Sequence, residues 1–278
     1  MEYQSHYEQL VKEGTKLDNI LIDEKKKKAL EYFKTKVLIS TTNIENNMLK
    51  SYEVYSSLVK SIHGTSMVCY SNEYYAIIFI DEEIYKTNSP LMHLQLQHEV
   101  LHGLSSGIDN LSYRFGHITT TNDIVFRGIN EAATQMFAED IYGFRLSKKD
   151  NYLHYIVNIM RILKVLYGSE IIANQYFNGD TSFEDNINEQ TDYGFQEFAS
   201  NINRIYRISQ KEFYKDITED EKKEKEHLEN SINEFVSSLI SKSNDLDINT
   251  KILEEIDEEF HTQYNNKIKP VTIKSIVL

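Results

Sequence analysis

A chain of 278 residues with 40% hydrophobic side chains has enough apolar mass for a real core, and a net charge of −13 argues against a surface that tracks phosphates. Global disorder and nucleic-acid partners are therefore not expected. A single cysteine, Cys69, excludes an intramolecular disulfide framework and any multi-thiolate zinc centre, so a metal held here would need histidine and carboxylate.

The first twenty residues, MEYQSHYEQLVKEGTKLDNI, have neither the basic start nor the apolar run of a secretory signal. No later stretch approaches the ~18 consecutive apolar residues of a membrane span. The expectation is a cytoplasmic protein without a membrane partner, of open oligomeric state.

In chain order, the pattern predicts a helix around residues 24–37, with the basic run Lys25 to Lys28 as a solvated first turn. A second apolar-periodic segment covers about 48–62. TSMVCY (65–70) and YYAIIFI (74–80) are rich in strand formers and separated by Ser71-Asn72-Glu73, which predicts a β-hairpin with Cys69 as buried filler. Ser89-Pro90 is a helix start, followed by an apolar stripe of Leu91, Leu94, Val100, Leu101 and Leu104, with Gly103 or Gly107 able to end it. A loop over 108–123 leads to a helix containing INEAATQMFAEDIYG (129–143). From Tyr152 the pattern is helical almost throughout, with an exposed charged stretch at 216–226 and a connection at 243–249. The closing KPVTIKSIVL reads equally as a strand or an extended tail.

Within the Ser89-Pro90 helix lies QLQHEVLHGL (95–104). Residues four apart on a helix differ by about 40° and rise roughly 6 Å, so His98 and His102 share a face and can reach one ion. Glu99 stands about 100° from His98, where it can reach water activated at the metal rather than the metal itself. A zinc-bound water of lowered pKa, deprotonated by Glu99, would attack a carbonyl, and the same carboxylate could pass the proton to a leaving amine.

Catalytic zinc usually takes three protein ligands, and Glu131 in GINEAAT, near the start of the next helix, is the strongest third candidate. Ala132, Ala133 and Ala138 are small enough to let that helix approach the histidine helix. Thr134 and Gln135 share the Glu131 face and could hydrogen-bond a ligand. His117, in the intervening loop, is an alternative third ligand or an oxyanion donor. His93 lies about 140° from His98 and faces elsewhere.

His98-Glu99-Val100-Leu101-His102 with Asn130-Glu131 downstream resembles the gluzincin zinc metallopeptidases, the class that includes thermolysin. GINEAAT and YGSEIIANQYFNGD (167–180) more loosely resemble a set of HExxH-containing proteins of Gram-positive bacteria, and the resemblance covers about residues 90–180. It implies an α+β, zincin-like fold: a mixed α/β lobe over 1–107 that includes the HExxH helix, then a mainly helical lobe over 108–278 carrying the third ligand. It implies Zn2+ held by His98, His102 and Glu131, Glu99 as general base, and a peptide or protein as substrate. An extended substrate would pair with a strand near the histidine helix, for which YYAIIFI is the candidate. The transition-state donor of such enzymes is a Tyr or His of the helical lobe; Tyr152, His154, Tyr155 and Tyr193 qualify, and Tyr152 is taken as the candidate. Gln135 departs from the family, which carries Asp there. A non-catalytic zinc-binding regulatory or interaction protein on the same scaffold is the alternative, and a non-peptide amide hydrolase would use the same groups.

Overall fold

The computed structural model describes residues 11–57, 67–71, 74–105, 126–149, 151–191 and 194–270. Contacts group the chain into two units that do not follow chain order. The first takes 1–124, 133–145 and 173–180; the second takes 125–132, 146–172 and 181–278. The 107/108 boundary read from the sequence lies outside the described residues, and so do His117 and Tyr193.

The first unit is α+β. Its strands β1 (Thr15–Lys16), β2 (Ser51–Ser57), β3 (Met67–Ser71) and β4 (Tyr75–Asp81) form one sheet in the order β1-β2-β4-β3. β3 and β4 pair antiparallel, Cys69 opposite Ile78, as the hairpin pattern predicts. β2 runs parallel to β4, Val54 opposite Ile78. Ala76 to Asp81 are all buried, as the continuous apolar run requires of a strand covered on both faces.

β4 has a strand on each side, so its main chain cannot pair with an extended substrate; among the described residues the strand with one neighbour beside the histidine helix is β3. The segment from residue 48 is not helical over 51–57 but is strand β2, in which Tyr52, Val54, Tyr55 and Ser56 are buried. Gly103 does not end its helix; it lies inside it.

Helix α1 (Ile20–Tyr32), continued by a π-helical turn over Phe33–Val37, turns Ile22, Lys25, Ala29 and Phe33 inward. The lysine run is therefore not a solvated turn. Lys25 is 1% exposed with its ammonium 4.7 Å from the centre of the Tyr142 ring, Lys26 sits over Tyr52, and of the four only Lys27 and Lys28 face solvent. Helix α2 (Thr42–Met48) and α3 (Glu82–Thr87) are short, the latter capped by the Asp81 carboxylate accepting from the Glu83 and Ile84 N–H groups. Helix α4 (Pro90–Ser105) starts where Ser89 Oγ accepts from the Met92 N–H at 3.2 Å. It packs on β3 and against α1 and α2. At Gly103 it approaches the sheet so closely that a Cβ would come within 2.9 Å of the Tyr52 hydroxyl and 3.2 Å of Ala76 Cβ. Glycine is what lets the turn carrying His102 sit down on the sheet.

Helix α5 (Arg127–Tyr142) is shared by the two units, through Ala132 with the second and from Ala133 with the first. Phe137 packs edge-on against Phe33, ring centres 5.1 Å apart, and Phe33 against Phe177 at 4.5 Å.

The second unit is helical: α6 (His154–Tyr167), the start of α7 (Ser169–Asn178), α8 (Ser182–Thr191), α9 (Phe195–Tyr214), α10 (Glu219–Ser241) and α11 (Ile248–Glu255), then short helical turns to Ile268. α9 and α10 pack along their buried stripes, with Phe198 stacked on Phe235 at 4.9 Å. The charged stretch from residue 216 is the entry to α10, where Thr218 and Glu221 close a capping box. No described helix is long and apolar enough to cross a membrane.

Candidate metal centre

On α4 the two histidines lie on the inner face, each 7% exposed. Their Nε2 atoms face one another at 3.0 Å, with the ring centres 4.7 Å apart. The four-residue spacing alone brings the rings to the same side. What turns the His98 Nε2 toward His102 is the partner of its other nitrogen: Nδ1–H donates to Gln135 Oε1 at 3.0 Å, which places the proton on Nδ1 and the lone pair on Nε2.

Gln135 is itself fixed. Its amide nitrogen donates to Glu139 Oε1, one turn further along α5, at 3.0 Å. Gln135 and Glu139 are 5% and 3% exposed, so this relay runs in a buried setting where misplacement is costly. The carboxylate at the end of the relay polarises the amide and through it the imidazole. Thr134, the other expected helper, turns away and hydrogen-bonds the Tyr176 hydroxyl.

Glu131 stands one turn before Gln135 on the same unbroken helix, and α5 thereby sets its place relative to the relay. Its carboxylate belongs to one cluster with His98 and His102, with one donor atom of each residue within 4.8 Å of the others. Arg127, four residues earlier, lies 3.8 Å from it. Close by in the second unit are two tyrosines. Burial holds the Tyr152 hydroxyl well above its ordinary pKa, with Tyr206 and then Glu131 adding to the shift, and its ring centre lies 6.0 Å from that of Tyr206. Burial and Glu131 likewise raise Tyr206. Tyr206 and Arg127 were not singled out from sequence. Arg127 carries an i,i+4 signal relative to Glu131, whereas Tyr206 reads only as one more member of the buried stripe of α9.

Glu99 is half-buried beside His98. It lies near Cys69 on β3, whose thiol is pushed well up in pKa by burial and then by the Glu99 charge. His93 is directed elsewhere: Nε2 meets Asn88 Oδ1 at 3.0 Å and the ring stacks on Tyr142. The Tyr155 hydroxyl donates within the second unit to Asn233 Oδ1 and the Glu229 carbonyl. His154 belongs to a different cluster, with Asp257 and Glu259.

The His98, His102 and Glu131 donors suit zinc in kind and in spacing: two imidazoles and a carboxylate, with the nitrogens near the separation of about 3.3 Å that tetrahedral zinc imposes on two ligands ~2.0–2.1 Å away. No protein-family model, curated protein or solved structure matches the chain.

Proposed function

We propose that the chain is a zinc-dependent metallopeptidase of gluzincin type, with His98, His102 and Glu131 holding the metal and Glu99 as general base. The observation that carries this reading is the facing Nε2 pair at 3.0 Å, with His98 oriented by Gln135, joined in one cluster by the Glu131 carboxylate. Zinc, when bound, would supply Lewis-acid activation of water and of the scissile carbonyl.

The remaining steps belong to the side chains. Glu99, next to His98 and about 100° round the helix, takes the proton of the attacking water and returns it to the leaving amine. The Gln135–Glu139 relay keeps His98 in the tautomer that presents Nε2. Arg127 offsets the charge of Glu131. Tyr152, held protonated beside Glu131, is the donor proposed for the oxyanion that develops on the carbonyl. β3, with one strand neighbour among the described residues, offers main-chain groups to an extended peptide.

The test is Glu99→Gln, assayed on an unfolded-protein substrate with zinc content measured on the same sample. Zinc should stay bound while hydrolysis falls by about 10²–10⁴-fold, the usual contribution of a general base. Full activity in zinc-loaded Glu99→Gln sinks the mechanism. Zinc bound by a wild-type chain that hydrolyses no peptide would instead favour the non-catalytic reading.

A further inference from the structure

Helix α6 presents four polar side chains along one face, His154, Asn158, Arg161 and Lys164, to the last residue of α11 and the segment that follows it. Three of them close on it at hydrogen-bond distance. Arg161 and Lys164 each reach Glu255 Oε1 at 2.8 Å, and Asn158 Oδ1 accepts from the Asp257 N–H at 2.8 Å.

The fourth does not close. His154 is 7% exposed, and its Nε2 stands 3.8 Å from Asp257 Oδ1 and 4.0 Å from Glu259 Oε2, too far for direct hydrogen bonds. Its one contact within that range among the described residues is a long one, 3.4 Å to the Asn158 amide nitrogen, whose closer bond, at 2.8 Å, is to His154's own carbonyl. The two carboxylates are held from behind: Asp257 Oδ1 accepts from the Glu259 N–H at 2.8 Å, and Glu259 Oε2 from the Lys148 N–H at 2.9 Å.

A buried imidazole nitrogen is thus aimed at two carboxylate oxygens across a gap. All three donor atoms lie within 4.8 Å of one another. With two separations of 3.8 and 4.0 Å and the third no more than 4.8 Å, a point equidistant from the three atoms is within about 2.5 Å of each, near the bond length of a divalent transition ion to nitrogen and oxygen. We propose that His154 Nε2, Asp257 Oδ1 and Glu259 Oε2 form a second metal site, for a divalent first-row transition ion of the zinc class, which pins the segment after α11 to the start of α6. The set is one imidazole and two carboxylates, so Mg2+, which favours oxygen and its own waters, is a poor occupant. Glu259 is half exposed, which leaves positions for water; the site lies wholly within the second unit and is structural.

The experiment is made in a His98→Ala/His102→Ala background, so that it does not depend on the first centre. Chelator-treated protein is titrated with Zn2+ and then, separately, with Mg2+, and metal content and Tm are read. We expect one equivalent of zinc, a Tm rise of about 5 °C at saturation, and no comparable rise with Mg2+. Glu259→Gln, at a half-exposed position whose amide oxygen can still accept from the Lys148 N–H, should weaken zinc at least tenfold and remove the rise. No bound equivalent in the background protein, unchanged zinc binding in Glu259→Gln, or an equal response to Mg2+ would each overturn the proposal.

Discussion

Gln135 carries a disproportionate share of the first centre's geometry, because one amide both accepts from the His98 Nδ1–H and donates to Glu139. Replacement by Leu keeps much of the volume and removes both bonds. His98 Nδ1–H then loses the acceptor that sets its tautomer, and Glu139 loses a donor in a buried setting. Zinc affinity should fall by about 10–100-fold, read by competition with a chromophoric chelator, and activity at saturating zinc should recover in part. An affinity equal to wild type would mean that the relay orients nothing. The sequence marks Gln135 as the departure from the resembled family and places it on the Glu131 face, yet does not say which ligand it serves. That depends on how α4 and α5 face each other, which no local pattern encodes. Tyr206 was less legible still, since a buried tyrosine in an amphipathic stripe carries the same signal whether it packs or acts.

Among the elements, α5 is the one on which both the relay and the third ligand depend. Its first turn is seated against α9 at Gly128, where a Cβ would meet the Ile202 carbonyl oxygen at 2.9 Å and the Asn203 Cα at 3.0 Å. These are backbone atoms and cannot swing aside. Gly128→Ala should therefore push the turn carrying Glu131 away from α9, at an overpacking cost of about 1–3 kcal/mol, despite the better helix propensity of alanine. Denaturant unfolding gives the stability, and zinc affinity should fall in the same protein. A variant stabilised as propensity alone predicts would contradict the packing reading. The elements that were legible have local signatures: the Ser-Pro start of α4, the hairpin of β3 and β4, and the alanine-rich α5, whose Ala132, Ala133 and Ala138 are all buried. β2 escaped because its sheet neighbour β4 comes only after β3 in the chain and runs parallel, a pairing that sequence periodicity does not announce. The lysine run misled for a related reason. Charge predicts solvent, but the Tyr142 face brought up by α5 makes a buried ammonium tolerable at Lys25, and at Lys26 the Tyr52 face of β2 does so together with the Asp23 carboxylate at 2.8 Å.

For the molecule as a whole, the shifted groups set a stability profile with pH. Burial lowers the pKa of His93 and His154, so the unfolded chain takes up their protons first and stability is lost as pH falls below about 6.5. Burial raises Tyr52, Tyr152 and Tyr155, so stability is lost as pH rises past about 10, where the unfolded tyrosines ionise. Lys25 acts between them. Burial, with Lys28 nearby, lowers it from 10.5 to about 8, so its penalty stands in full below pH 8 and is relieved as pH rises toward 10.5. The most stable range should fall between pH 8 and 10. Lys25→Met, which keeps the stem packed against Tyr142 and removes the charge, should be more stable than wild type at pH 7 by on the order of 2 kcal/mol, the desolvation cost less the cation–π contact. By pH 10 the gap should have largely closed. Urea unfolding at both pH values decides it: a variant less stable at pH 7 by an amount that does not change with pH would mean that the ammonium–Tyr142 contact outweighs the desolvation of Lys25.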